Sequence, residues 1–174
     1  MKMTTGLGER KKKAGWHFRL ALRLGLIFLI LPPFVFGAIA LTITGSWSFT
    51  LSSGNLQGGA GSEFTTEYES ASNQVLLKVG GAGGNTWRVD VQRVDTSWPS
   101  TVTLYVRRTG NGTGKGTIYD GTTYHLVTTS TTTWMTGAGD RDKVPLQEKV
   151  GSLSVSIGQA TFTTAIKYTL VQTS

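Results

Sequence analysis

Apolar side chains in this chain recur at every second position, and at no other sustained spacing. Trp47, Phe49 and Leu51 alternate with serine and threonine, and Val75, Leu77 and Val79 with Leu76 and Lys78. Trp87, Val89 and Val91 alternate with charged and polar neighbours, as do Val102, Leu104 and Val106. Leu153, Val155 and Ile157 alternate with serines, and Ile166, Tyr168 and Leu170 with Lys167 and Thr169. Successive side chains of a strand point to opposite faces, so each run predicts a strand with one buried face. Weaker strand signals cover 122–129 and 132–136. Glycine-rich breaks at 80–84, 110–116, 137–139 and 158 separate the runs, while threonine and valine fit pleated, half-buried surfaces. Seven to nine short strands with turns between them predict an all-β, antiparallel β-sandwich. Uneven turns fit a closed barrel less well.

The charge is distributed as unevenly as the turns. The 174 residues carry 17 Lys plus Arg against 10 Asp plus Glu, a net +7. Seven of those cations and only Glu9 among the anions precede residue 41, so the body is nearly neutral. The cations of the leader end at Arg23, and residues 24–43 are almost wholly apolar. A basic stretch, an apolar core and Ala38-Ile39-Ala40 form the layout of a secretory signal peptide, with cleavage expected after Ala40. The competing reading is an uncleaved anchor helix, since about 20 apolar residues span a bilayer. Pro32-Pro33 would interrupt such a helix. Residues 1–40 are thus read as signal or anchor, and 41–174 as one exported domain, extracellular, periplasmic or on the cell surface. The Arg10–Lys13 run orients export and needs no nucleic-acid partner. With no cysteine, disulfides, thiol nucleophiles and cysteine-ligated zinc are excluded, and the core alone must hold the domain.

Motifs for chemistry are sparse, and no cofactor is expected. The body has one histidine, His125, and neither Gly-x-Ser-x-Gly nor His-Glu-x-x-His. Asp140-Arg141-Asp142 supplies two carboxylates without EF-hand spacing, and Arg141 is expected to neutralise them in an exposed turn. Glu63, Glu67 and Glu69 would serve glycoside hydrolysis only at the right separation, so a glycan-active enzyme is the third reading. Asn111-Gly112-Thr113 matches a glycosylation pattern. Arg-Val-Asp occurs at 88–90 and 93–95; an odd step of five puts the copies on opposite faces, and a strand end or bulge near Gln92–Arg93 is expected.

Trp47 and Trp87 share parity with apolar neighbours and are assigned to the core. Trp98, before Pro99, and Trp134, among threonines, are the candidate exposed platforms for a glycan or protein partner. Tyr105, Tyr119 and Tyr124 are secondary candidates. Leu41, Ile43, Trp47, Phe49 and Leu51 share one parity. They are read as the first strand of the sandwich or as a donor strand inserted into a second copy, which would propagate a pilus-like filament.

At the other end, Leu153, Val155, Ile157, Gly158, Phe162, Ile166, Tyr168 and Leu170 describe an alternating strand, a glycine turn and a second strand. This stretch resembles the closing hairpin of secreted Ig-like fibre subunits of the spore-coat-U type. The resemblance covers about the last 30 residues, and the cysteine pair common in those families is absent here. It implies an Ig-like exported sandwich used in surface structures or adhesion. The expected function is therefore a non-enzymatic surface, adhesion or filament subunit. A carbohydrate- or protein-binding module is the alternative.

Overall fold

The computed structural model describes residues 38–48, 50–157 and 162–174; the leader through residue 37, Phe49 and Gly158 lie outside them. The described strands are β1 (Ala40–Thr44), β2 (Glu67–Glu69), β3 (Val75–Gly80), β4 (Thr86–Ser97), β5 (Thr103–Arg108), β6 (Thr117–Asp120), β7 (His125–Leu126), β8 (Thr132–Ala138), β9 (Arg141–Gly151) and β10 (Thr163–Gln172). One sheet has the order β1-β3-β9-β5-β7, with β2 pairing the far end of β9; the other has the order β10-β4-β8-β6. All pairings are antiparallel. The architecture is an all-β sandwich, as the period-two alternation requires.

The inner faces follow that alternation. Val75, Leu77 and Val79 of β3, Val144 and Leu146 of β9, and Val106 of β5 are buried on the first sheet. Trp87, Val89 and Val91 of β4, with Met135 of β8, cover them from the second sheet. Trp87 fits because Gly137 lies opposite it: a Cβ there would sit 2.4 Å from the indole ring. A smaller cluster of Val102, Leu104, Val150 and Leu153 fills the other end.

The chain passes from one sheet to the other between Ala138 and Arg141, and this corner gathers polar bonds. Trp87 Nε1 donates to the Gly139 carbonyl at 2.9 Å, and the Ala82 N–H to Asp140 Oδ1 at 2.7 Å. Arg141 is buried, not exposed, and its guanidinium donates to backbone carbonyls of Asn111, Gly112, Gly114 and Gly116. The expectation that Arg141 neutralises its neighbouring aspartates is therefore corrected. Arg108, also buried, donates to the Asp120 carbonyl and to Asn111 Oδ1, which further ties down the asparagine of the glycosylation pattern.

Three local expectations are revised. The first strand, expected over 41–51, covers Ala40–Thr44 and so includes Leu41 and Ile43 but not Trp47 or Leu51. Gly45, at φ +104° and with Gln74 O only 2.4 Å from its Cβ position, turns the chain out of the sheet. Residues 153–157 form no strand; Val155–Ile157 is a single 3-10 turn, because Ser152 adopts φ +59° just after β9 ends. The terminal strand β10 consequently pairs with β4, so the expected closing hairpin does not form. Finally, β4 runs unbroken from Thr86 to Ser97 and is regular at Gln92–Arg93; its own extra residue is Thr96, opposite Thr163/Thr164 of β10, while at Val89/Asp90 the extra residue belongs to β8. The two Arg-Val-Asp copies each close an ion pair two residues apart, at 3.1 Å and 2.8 Å.

A long strand at 141–151 escapes the sequence pattern, since Pro145 argues against it. The Pro145 carbonyl accepts the Thr109 N–H just beyond the last β5 pair, Arg108–Leu146. The missing donor thus falls where that ladder ends.

Replacing Arg141 by lysine keeps the charge but loses the planar fork that reaches four carbonyls. Arg141→Lys is expected to cost about 3 kcal/mol in urea denaturation, because a point charge cannot replace a fan of charge-assisted bonds.

Candidate functional site

The corner closes one end of the sandwich, and the opposite end stays open. There β4 and β9 finish and β5 and β10 begin, while residues 45–48, 50–66 and 152–157 wrap the rim as loops and single turns. Between the sheets lies a cavity of about 1060 Å³. Its apolar walls come from Ile43, Trp47, Trp98, Leu104, Val150 and Ile166, among others. Ile166 packs against both apolar clusters, so the cavity sits where the core divides.

One lining residue breaks the apolar pattern. Glu148 shares parity with Val144, Leu146 and Val150 and so points with them toward the interior of the sandwich. It is the one charged side chain among the residues lining the cavity. Burial raises its pKa above the ordinary glutamate value of 4.5. Tyr168 of β10 lines the same cavity, and its hydroxyl is buried without a hydrogen-bond partner among the described residues. Its pKa is also raised, first by burial and then by the Glu148 charge. The Tyr168 ring packs at 5.9 Å from Trp134. Arg93, on the adjacent strand, is already paired with Asp95 and lies over the Trp98 ring at 5.7 Å.

The candidates from sequence fall in different places. Leu41 and Ile43 are half-buried in β1, which pairs with β3 of its own sheet. Trp47 and Leu51 leave the strand and line the cavity. Ala38 and Ala40 are exposed, and Ala40 already pairs with Gly80, so the expected cleavage site lies inside β1. Trp98 is half-buried at the cavity wall, donating Nε1 to the Val102 carbonyl at 2.9 Å. Trp134 is only 4% exposed, a correction to its reading as an exposed platform. It is the extra residue on β8 at the irregular step opposite Val89/Asp90, which lets the ring pack within the core.

The carboxylates of 63–69 do not converge on a reaction centre. Glu63 accepts the Val155 N–H, Glu67 pairs with Lys149 at 3.0 Å, and Glu69 accepts from Gln147. Asp140 holds Ala82, Asp142 accepts the Lys143 N–H, and His125 bonds Thr132. Among the described residues no three His, Cys, Asp or Glu side chains are placed to hold a metal. Nor does any described helix have the length and apolarity to cross a membrane.

On the outer face of the first sheet, Tyr105 and Tyr124 meet edge to face at 6.4 Å. Lys149 lies over both rings, and Arg107 lies 4.4 Å over Tyr124. The Tyr124 phenol is pushed up to about 12, first by burial and then by the nearby Glu69 carboxylate. These aromatics are committed to cations of the same chain, whereas Tyr119 stands 58% exposed.

Sequence reasoning passed over Glu148. The available signal was its parity: a carboxylate in phase with Val144, Leu146 and Val150 on a strand that Pro145 had disguised. Compared with known proteins, the chain matches no family model, no curated protein and no solved structure.

A glutamate whose pKa is raised by folding stabilises the fold in its protonated form, and that contribution is lost as pH rises through the folded pKa. Wild type should therefore lose stability relative to Glu148→Gln as pH increases from 4 upward. Urea denaturation of both across that range reads the difference, which should be smallest at the acid end.

Proposed function

We propose that this chain is an exported, non-enzymatic β-sandwich that works at the cell surface as a binding or assembly subunit. The observation that carries this reading is the open apolar cleft between the sheets. Its volume is close to the upper end of the roughly 300–1,000 Å³ of ligand pockets, and it combines aromatic and aliphatic walls with a rim of serine and threonine and a single charged side chain. The basic and apolar leader supports export, and the engagement of Glu63, Glu67 and Glu69 with neighbouring groups favours a binding role over glycan hydrolysis.

1-Octanol, a neutral apolar probe, should shift the methyl NMR signals of Val102, Leu104 and Val150 saturably in the full chain. Signals of Val127 and Val144, at the core away from the cleft lining, should stay still. Absence of a saturable, cleft-confined response would refute the binding reading.

Self-assembly is the second reading, favoured by the strand edges beside the cleft. β1 and β10 are the outer strands of their sheets, and β1 carries no charge or proline to discourage pairing. β1 is already paired with β3, so its free edge, and not donation of the whole strand, would receive a second copy. Thr42 is exposed on that edge. Sedimentation of the full chain should show multimers that Thr42→Lys reduces to monomers. A wild type that stays monomeric at high concentration removes the assembly reading.

A further inference from the structure

Resting on the cleft reading, the structure assigns the cavity to a small amphiphile that carries one ammonium group on an apolar body, with Glu148 receiving the ammonium. The first ground is charge. Every other residue lining the cavity is uncharged, so the cleft presents a single negative site within apolar walls. A carboxylate withdrawn from water without a cation is costly, and a ligand cation that reaches it restores the pairing. Such pairs form strong, charge-assisted hydrogen bonds because the surroundings are poor in water.

The second ground is an unsatisfied hydroxyl. Tyr168 lines the same cavity from the opposite sheet, and its buried oxygen lacks a partner among the described residues. An ammonium has three donors. One donated to Glu148 and another to the Tyr168 oxygen would give each group a partner. Two cations on neighbouring positions are engaged elsewhere: Arg93 with Asp95, and Lys149 with Glu67 on the outer face. Burial has also raised the Glu148 pKa, which fits a carboxyl kept without a cation until a ligand brings one. Trp47, Trp98, Leu104 and Val150 supply walls for the apolar body.

The test compares three probes with one tail and different heads: octylamine, 1-octanol and octanoate. Each is titrated into the full chain in an uncharged maltoside micelle, with methyl NMR of Val102, Leu104 and Val150 as the local readout. Octylamine is expected to bind about tenfold more tightly than octanol, and octanoate more weakly than either. In Glu148→Gln that preference should shrink to within about threefold. The wild-type comparison stands without the variant, should the variant fail to fold. Nα-acetyl-lysine N-methylamide carries the same ammonium on a peptide and should bind more weakly than octylamine.

Equal affinities for octylamine and octanol, a preference for octanoate, or a preference retained in Glu148→Gln would each overturn the assignment while leaving the cleft a binding site. Equal or tighter binding of the lysine amide would overturn the small amphiphile as occupant. If none of the probes moves the cleft methyls, the cleft reading falls and this assignment with it.

Discussion

The sandwich depends on the corner where the chain leaves the second sheet and enters the first. Only Gly139 and Asp140 separate β8 from β9, so two layers must be joined over a very short path. Backbone groups at such a crossing lose their ladder partners and must find others. Here Asn85 O accepts the Gly139 N–H, Trp87 Nε1 reaches the Gly139 carbonyl, and Asp140 Oδ1 accepts from Ala82. The Arg141 guanidinium then gathers the carbonyls of the 111–116 loop. Three loops and both sheets meet in one polar cluster beside the buried Trp87 ring. In a chain without cysteine, that cluster does at one end what a disulfide does in many small exported domains.

With one end closed in this way, the other can remain open. The apolar residues form two clusters joined through Ile166, and the cavity occupies the division between them. Strand direction places Glu148 there: β9 begins at the corner with Arg141, and seven residues later the inward position falls within the cavity. The same strand thus carries a satisfied buried cation at its start and a carboxyl without a cation near its end. The first is structural because its partners are all in the chain. The second is a candidate for binding because, among the described residues, no cation faces it.

The alternating runs at Val75–Val79, Trp87–Val91, Val102–Val106 and Ile166–Leu170 made their strands legible, since one buried face imposes a period of two. Harder to read were segments whose conformation depends on distant groups. Trp47 and Leu51 share the strand parity, yet the turn at Gly45, close against Gln74, carries them to the rim. Leu153–Ile157 alternates, yet the turn at Ser152 makes it a lid segment packed by Leu153. Pro145 hides β9 in the sequence because its permissibility rests on where β5 ends. Trp134 looks exposed among threonines, and only the irregular β8 pairing buries it.

Residue types and their local period alone establish the class of fold, the absence of covalent bracing and the contrast between a basic N-terminal stretch and a nearly neutral body. Those properties follow from residue type and local period, which need no knowledge of what lies opposite. Tertiary structure decided the order of the strands, the burial of Arg141 and Trp134, and the meeting of Glu148 with Tyr168 across one cavity. Such facts depend on register and on which end of each strand faces which neighbour. A single carboxylate becomes distinctive only when strands distant in sequence exclude other charges from its surroundings.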